Sequence, residues 1–329
     1  MIYGKITLED WRTACVEGEE PESSFESYNL RLFFFGTLYN RDTLQATPDD
    51  TNAKLAADAF LSDPAYGFSR LDGSFTIVYY SENECGVVRD HHGTHYPVYC
   101  HIDGNFATSW QFLEDQLEEN FEPNLVSLST FLQRGILKKN NFALFDVHSL
   151  GAGEKFYMLT ELGYLMPVWA SVKLETQANV HSMFDSLKER NPGLYEKVAD
   201  DIYCLKRDSV FEHEPKVATE RNPDVEAYSR RYGELHAQAI RRRIGDSRKV
   251  GILLSGGYDS GSNLAALRSI YDGQIDSYSV GFKGDAWTEL PMARLMSETF
   301  GTRHHEYEID GTETSALPDI VRFLGEPFM

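Results

Sequence analysis

The sequence predicts two domains of different fold classes: an α+β domain with a large antiparallel sheet, followed by an α/β domain with a parallel sheet. The 329 residues suit two domains, at roughly 100–200 residues each. In the first half, short apolar runs alternate with turn clusters, which is typical of antiparallel hairpins. In the last third, strand and helix patterns alternate with short loops, which favours a parallel sheet with helices on its faces.

The composition excludes several classes of protein. Lys and Arg number 31 and Asp and Glu 51, so the net charge is −20, and 42% of residues are hydrophobic. These values favour a globular chain and disfavour a non-specific binder of nucleic acid or anionic membrane. The four cysteines are scattered with no CxxC pair, so neither a disulfide framework nor a zinc site is indicated. With no signal-peptide pattern and no run of ~20 apolar residues, a cytoplasmic protein is expected.

Strands of the first half are predicted from runs rich in β-branched and aromatic residues. Residues 1–175 form the first predicted domain, 176–220 a partly helical connection, and 221–329 the second domain. The predicted strands are Leu30–Phe35, Ser74–Tyr80, Gly86–Arg89 and Tyr96–Cys100, and the predicted helices are Asn52–Phe60 and Ser127–Gln133.

The second domain is predicted to begin with a helix at Asn222–Pro223, because Asn suits the N-cap and Pro the first helical position. Its apolar residues recur at helical spacing: Val225, Tyr228, Tyr232, Leu235 and Ala239. The predicted strands are then Val250–Leu254, Ser277–Val280 and His305–Ile309, and the helices are Ser260–Ser269, Glu289–Phe300 and Thr314–Leu324.

One loop carries the chemistry, Leu253-Leu254-Ser255-Gly256-Gly257-Tyr258-Asp259-Ser260, between a predicted strand and helix. The glycine pair allows a tight turn with accessible N–H groups. The following helix N-terminus and the two serine hydroxyls suit a pyrophosphate-sized anion. Asp259 fits beside phosphate if a Mg²⁺ ion lies between them. The loop lacks the GxxxxGK[ST] pattern, so γ-phosphoryl transfer is not expected.

The string Ser255–Ser260 resembles the PP-loop of ATP pyrophosphatases, which cleave ATP between the α and β phosphates. Downstream residues resemble the synthetase domain of asparagine synthetase: Ser277–Phe282, Ala293-Arg294, Phe300–Glu306 and Glu326-Pro327. The resemblance implies an incomplete PP-loop domain with an adenine nucleotide alpha hydrolase-like fold. It also implies a carbon–nitrogen ligase that uses ATP and Mg²⁺.

The resemblance further implies a set of site residues. Leu253 and Val280 would line the adenine pocket, besides packing in the core as Gly281 does. Asp259 would act in catalysis and hold Mg²⁺ through the pyrophosphate of ATP, and Glu326 would face the junction of nucleotide and substrate. The nucleotide-binding residues would be Leu253, Ser255, Gly256, Gly257, Asp259, Ser260, Val280 and Gly281.

Four segments of the first half resemble the glutaminase domain of the same family: Gly36–Asn40, Leu71–Phe75, Arg89–Tyr99 and Gly151–Gly153. They imply an Ntn-type, class II amidotransferase-like antiparallel sandwich. The family's glutaminase, however, needs an N-terminal cysteine, and here Met1 is followed by Ile2. Phe35 aligns with the oxyanion-hole Asn, and the RGPD segment is missing. Glutamine hydrolysis is therefore expected to be lost, as in the similar β-lactam synthetase and lasso-peptide cyclases.

The chain stops at Met329, before the family's second phosphate-contacting loop, its catalytic lysine and most of its substrate pocket. Either the sequence is a fragment of a longer protein or it is naturally short, and we expect the fragment.

Several conspicuous residues have a simpler explanation than function. His91, His92 and His95 lie in a predicted turn, where adjacent side chains point apart, so a metal site is not expected. His304 and His305 are expected to be structural. The Arg241–Arg243 run sits near a predicted helix C-terminus and is expected to be solvated, although one of these arginines could contact phosphate.

The predicted function is ATP-dependent amide formation through an acyl-adenylate, as in asparagine biosynthesis, with AMP and pyrophosphate as products. The partners would be a small-molecule or peptide carboxylate and ammonia or an amine, with a homodimer possible and no nucleic acid or membrane. One alternative is a tailoring enzyme that closes a lactam or amide on a natural product or peptide. Another is a module that binds nucleotide without turnover.

Overall fold

The computed structural model describes residues 1–6, 11–64, 66–101, 104–117, 147–159, 167–171, 224–284 and 288–324, with 125, 128, 129 and 132. The chain divides into two compact units, Met1–Lys216 with Asp319–Met329, and Val217–Pro318. The predicted domain boundaries at 175 and 220, the connection between them and most of the helix predicted at 127–133 lie outside the described residues.

The first unit contains a six-stranded antiparallel sheet of order β11-β10-β6-β5-β4-β3. Its central pair of strands, β4 and β5, is antiparallel and pairs Leu30 with Ser81 and Leu38 with Gly73. The strands of this sheet are β3 (Ser23–Glu26), β4 (Leu30–Leu38), β5 (Gly73–Ser81), β6 (Glu84–Arg89), β10 (Glu154–Leu159) and β11 (Pro167–Ser171).

A second antiparallel sheet of the same unit has five strands in the order β2-β1-β8-β7-β9. These strands are β1 (Ile2–Lys5), β2 (Val16–Gly18), β7 (Tyr99–His101), β8 (Asn105–Ala107) and β9 (Val147–Ser149). The helical elements are α1 (Asn52–Ser62), a 3-10 turn (Gly67–Arg70) and α2 (Trp110–Leu117).

The two-residue period of β5 divides the core between two layers. Ile77 and Tyr79 join a cluster with Phe60 of α1. Val78 and Tyr80 face the other way, into a cluster that includes Ile2, Cys100 and Phe106 of the second sheet. The central sheet is therefore covered by helix on one face and by the second sheet on the other. This confirms the predicted antiparallel architecture, although the strand predicted at Tyr96–Cys100 begins only at Tyr99.

The second unit has a parallel sheet of order β12-β13-β14. Its strands are β12 (Val250–Leu253), β13 (Ile275–Phe282) and β14 (Arg303–Ile309), and its helices are α3 (Val225–Ile244), α4 (Tyr258–Ile270) and α5 (Leu290–Phe300). The predicted alternation of strand and helix is confirmed. The predicted last helix is a 3-10 turn (Thr312–Ala316) followed by α6 (Leu317–Leu324).

Helices α3, α4 and α5 all contribute to one apolar cluster on the sheet, through Ile240, Leu264 and Ala293. The strand residues of the opposite face are exposed: Leu253, Tyr278, Val280, Phe282 and Tyr307. Helix α3 has its N-cap at Asp224, whose side chain accepts a hydrogen bond from the Ala227 N–H at 3.0 Å. The cap thus falls two residues beyond the predicted Asn222, which lies outside the described residues.

Candidate functional site

The loop between β12 and α4 is anchored to β13 at its first residue. The Leu254 N–H donates to the Tyr278 carbonyl at 2.8 Å, and the Ser279 hydroxyl donates to the Leu254 carbonyl. Leu254 and Ser279 are both buried. The chain therefore leaves the sheet at a fixed point before it turns into residues 255–257.

Two serine hydroxyls organise the loop itself. Ser255 Oγ and Ser260 Oγ lie 3.1 Å apart. Ser260 Oγ accepts from the Ser255 N–H at 3.2 Å, and Ser255 Oγ accepts from the Gly257 N–H at 3.3 Å. The loop thus brings both predicted serines together at the start of α4. Each hydroxyl could give up a hydrogen bond within the protein and donate one to an oxygen of a ligand instead.

The N-terminus of α4 supplies further donors. The Gly261 N–H bonds to the Gly257 carbonyl at 3.0 Å, so the N–H groups of residues 258–260 belong to the first turn, which has no carbonyl four residues earlier in the helix. The partial positive charge of the helix favours an anion there. Asp259 lies exposed in this turn, where its carboxylate also stabilises the helix dipole.

Gly256 is required by both backbone geometry and space. Its φ is +87°, a region that residues with a Cβ rarely adopt. A Cβ there would lie 2.8 Å from the Glu289 carbonyl oxygen and 3.1 Å from the Ala293 nitrogen. The first turn of α5 consequently packs directly on the loop. The sequence did not predict this contact, because Pro291 signals only where a helix begins and not what the helix packs on.

Leu253 and Val280 lie on one face of the sheet, because the parallel register pairs Leu253 with Tyr278 and Val280 follows two residues later. Leu253 is 80% exposed and Val280 is 66% exposed. The expectation that both also pack in the core is therefore wrong for this chain, since helices α3, α4 and α5 cover the other face. Gly281 is buried, as expected.

The side chains at the loop suit a magnesium ion that is bound mainly by a nucleotide, and not one bound by protein ligands alone. Among the described residues, no group of three or more His, Cys, Asp or Glu side chains could hold a metal. Mg²⁺ usually takes one or two protein carboxylates and completes its shell with water and substrate phosphates. Asp259, the one carboxylate of the first α4 turn, fits that role.

In the first unit, Phe35, which the sequence resemblance sets in place of an oxyanion-hole Asn, is apolar and enclosed. Phe35 is 2% exposed and packs in the cluster between the two sheets. Ile2 is fully buried in the same cluster, and its N–H donates to Thr108 Oγ1 at 2.9 Å. Neither residue offers a side-chain nucleophile or donor for amide hydrolysis.

The Arg89–Tyr99 segment is held by a buried carboxylate. Asp90 accepts hydrogen bonds from the backbone N–H groups of His92, Thr94 and His95 at 3.0 Å each, and from that of Phe75 at 3.4 Å. Burial opposes ionisation of Asp90, but these N–H groups hold its pKa below the ordinary value. The Asp of this motif therefore shapes the turn.

The histidines have ordinary structural contacts. His91 Nε2 lies 2.9 Å from the Ser69 carbonyl, and His95 Nδ1 lies 3.0 Å from Thr76 Oγ1. His304 Nδ1 lies 2.8 Å from Ser277 Oγ, and His305 stacks on Tyr278. In the Arg241–Arg243 run, Arg243 donates to the Ala239 carbonyl within α3. Glu326 lies outside the described residues.

Comparison with known proteins gives a family match for most of the second unit. Residues 231–329 match the asparagine synthase family model. A 101-residue segment is 32% identical to a protein of Mycobacterium bovis named "Putative asparagine synthetase (glutamine-hydrolyzing)", covering 30% of this chain and 15% of that protein. A 92-residue segment is 30% identical to a similarly named protein of Methanocaldococcus jannaschii, covering 27% and 18%. The matched part thus spans less than a fifth of these relatives.

Solved structures give a weaker likeness. Glutamine phosphoribosylpyrophosphate amidotransferase from B. subtilis aligns over 92% of this chain and 75% of its own, at 13% identity and a TM-score of 0.33. A structure titled the allosteric regulatory enzyme of purine biosynthesis aligns over 92% and 70%, at 12% identity and 0.32. Such scores do not define a shared fold.

No helix among the described residues is long and apolar enough to cross a membrane. The parallel sheet and the loop that joins β12 to α4 both lie within residues 231–329, the segment that matches the asparagine synthase family model.

Proposed function

We propose that this chain is part of an ATP-dependent amide ligase that forms AMP and pyrophosphate. The observation that carries the proposal is the loop Ser255–Ser260, which presents two hydroxyls and the free first turn of α4 at the end of β12. The family match of residues 231–329 supports the same chemistry. In this proposal the unit is a PP-loop domain and the nucleotide-binding residues are those predicted from the sequence.

The chemistry has two steps. A substrate carboxylate oxygen attacks the α-phosphorus of ATP, a new O–P bond forms, and the bond to the β-phosphate breaks to release pyrophosphate. The nitrogen of ammonia or an amine then attacks the acyl carbon, loses its proton, and displaces AMP. Serine hydroxyls and α4 N–H groups would stabilise the leaving pyrophosphate electrostatically. Asp259 would hold Mg²⁺, which supplies charge neutralisation at the phosphates.

We further propose that residues 1–175 are an amidotransferase-like sandwich without glutaminase activity. The buried Phe35 and Ile2 support this, because neither can attack an amide or stabilise the oxyanion. The nitrogen would then come from free ammonia or from an amine on the substrate itself. Phe35 therefore favours, as a second candidate, an enzyme that closes a lactam or amide on a natural product or peptide.

The test is release of pyrophosphate from ATP by the protein as expressed from its natural gene, with a carboxylate and an amine supplied together. Asp259→Ala should abolish the release, and the exposed control Asp272→Ala should not. Full activity in Asp259→Ala would overturn the mechanism. Glutamate released from glutamine would overturn the claim about the first domain.

A further inference from the structure

A short segment at the start of α5 forms a second side of the proposed nucleotide site. Residues 288–293 contact Gly256 and Gly281, two of the three glycines of that site. At Gly256 a Cβ would meet Glu289 and Ala293, and at Gly281 a Cβ would lie 2.6 Å from Leu290 Cδ1. The segment therefore runs from the loop after β12 to the end of β13.

Thr288 places a hydroxyl at the β13 end of this segment. Its Oγ1 would lie 3.1 Å from a Cβ at Gly281, so the hydroxyl lies close to the backbone of Gly281. The Leu290 N–H donates to this oxygen at 3.4 Å, which is a long bond. That bond uses the hydroxyl as an acceptor, so its proton can still be donated to a ligand.

The order of the proposed subsites suggests which ligand group receives that proton. The pyrophosphate of ATP would lie at Ser255–Ser260, after β12, and the base near Val280 of β13. The α-phosphate and ribose join those two parts, and the 288–293 segment spans the same two strand ends. The neighbouring Glu289 carboxylate would repel phosphate unless Mg²⁺ intervened, so the neutral hydroxyl is the better phosphate ligand.

We propose that Thr288 donates a hydrogen bond to the α-phosphate of the bound nucleotide and so positions the phosphorus that the carboxylate attacks. The inference rests on the proposed function, because it takes the nucleotide to bind at this loop. It adds a specificity contact outside the Ser255–Ser260 motif, from a residue that lies just before α5.

The experiment compares AMP with adenosine, since the two differ only by the α-phosphate. Dissociation constants are measured by calorimetry for the 329-residue chain, Thr288→Val, Thr288→Ser and the control Thr299→Val, which removes an exposed hydroxyl farther along α5. Thr288→Val should raise the dissociation constant for AMP about tenfold or more, as expected for the loss of a hydrogen bond to a charged group. Adenosine affinity should change less than twofold, and Thr288→Ser should keep AMP affinity.

Each other outcome has a distinct meaning. If Thr288→Val weakens the binding of AMP and of adenosine equally and lowers the melting temperature, Thr288 only stabilises the start of α5 and the inference is wrong. If Thr288→Val binds AMP as tightly as the unchanged chain, the contact does not exist. If the unchanged chain binds neither AMP nor ATP, the proposed function fails and this inference fails with it.

Discussion

Gly256 lies against Glu289 so closely that a single methyl group would not fit between them. The Cβ of an alanine at 256 would stand 2.8 Å from the Glu289 carbonyl oxygen, which is backbone and cannot rotate away. This contact couples the shape of the candidate loop to the position of α5.

Gly256→Ala should therefore destabilise the second unit and weaken nucleotide binding together. The left-handed φ alone costs about 1–3 kcal/mol, and the clash adds to it. Gly284→Ala is the matched control, because Gly284 has φ +79° but open space around it. Thermal melting and ATP titration of both variants check the prediction, and equal losses in both would contradict the role of the contact.

Ser279→Ala should lower the stability of the second unit by about 1–3 kcal/mol. The Leu254 carbonyl accepts from the Ser279 hydroxyl, and both residues are buried, so removing the donor takes a hydrogen bond from a buried acceptor. Ser269→Ala removes an exposed hydroxyl bonded to the Ala266 carbonyl and is the control. Urea denaturation of the two variants tests this prediction. An unchanged midpoint in Ser279→Ala would mean that the Ser279 hydroxyl does not anchor the loop at Leu254.

Glu84→Gln should be strongly destabilising in the first unit, by about 3–5 kcal/mol. Glu84 Oε1 lies 2.9 Å from Lys155 Nζ and accepts from the buried Tyr79 hydroxyl, and the lysine side chain is 7% exposed. The substitution leaves the lysine charge buried without its partner.

Adding Lys155→Met to Glu84→Gln should recover most of that loss, because the uncompensated charge is gone. Glu234→Gln, which breaks an exposed pair with Arg231, should change the urea midpoint little. A double variant no more stable than Glu84→Gln would mean that the ion pair is not the source of the effect.

The Asp90 turn should make the first unit sensitive to acid. Because the native pKa of Asp90 is held below the ordinary 3.8, its ionised form stabilises the fold above about pH 4, and this stabilisation is lost as pH falls through the lower native pKa. Asp90→Asn should therefore lose stability at pH 7 and differ less from the unchanged chain at pH 2–3. Melting curves at these pH values test this, and a pH-independent difference would contradict it.

Sequence patterns predicted the parallel unit well because each element there has a local signal. The strand at Val250, the glycine pair at 256–257 and the periodic apolar residues of α3 are each signalled by residues close together in the sequence. The observed strand ends differ from the predicted ones by one or two residues, because pairing with neighbouring strands sets where a strand ends. For example, the strand predicted to begin at Ser277 begins at Ile275.

Other features depend on contacts that are distant in the sequence. Leu253 and Val280 are exposed because helices α3, α4 and α5 all lie on the opposite face of the sheet. An apolar strand pattern does not reveal this arrangement. The support of Leu254 by Ser279 and of Gly256 by Glu289 joins residues more than twenty positions apart. The resemblance identified the Asp90 segment, but its backbone hydrogen bonds became evident only in the folded turn.

The proposed function depends above all on whether Ser255–Ser260 binds the phosphates of ATP. The most direct measurement is calorimetric titration of Mg²⁺-ATP and of pyrophosphate into the 329-residue chain and into the double variant Ser255→Ala/Ser260→Ala. We predict saturable binding of both ligands, with affinity about tenfold or more weaker in the double variant and unchanged in Ser269→Ala. Absence of binding to the unchanged chain, or equal affinity in the double variant, would contradict it.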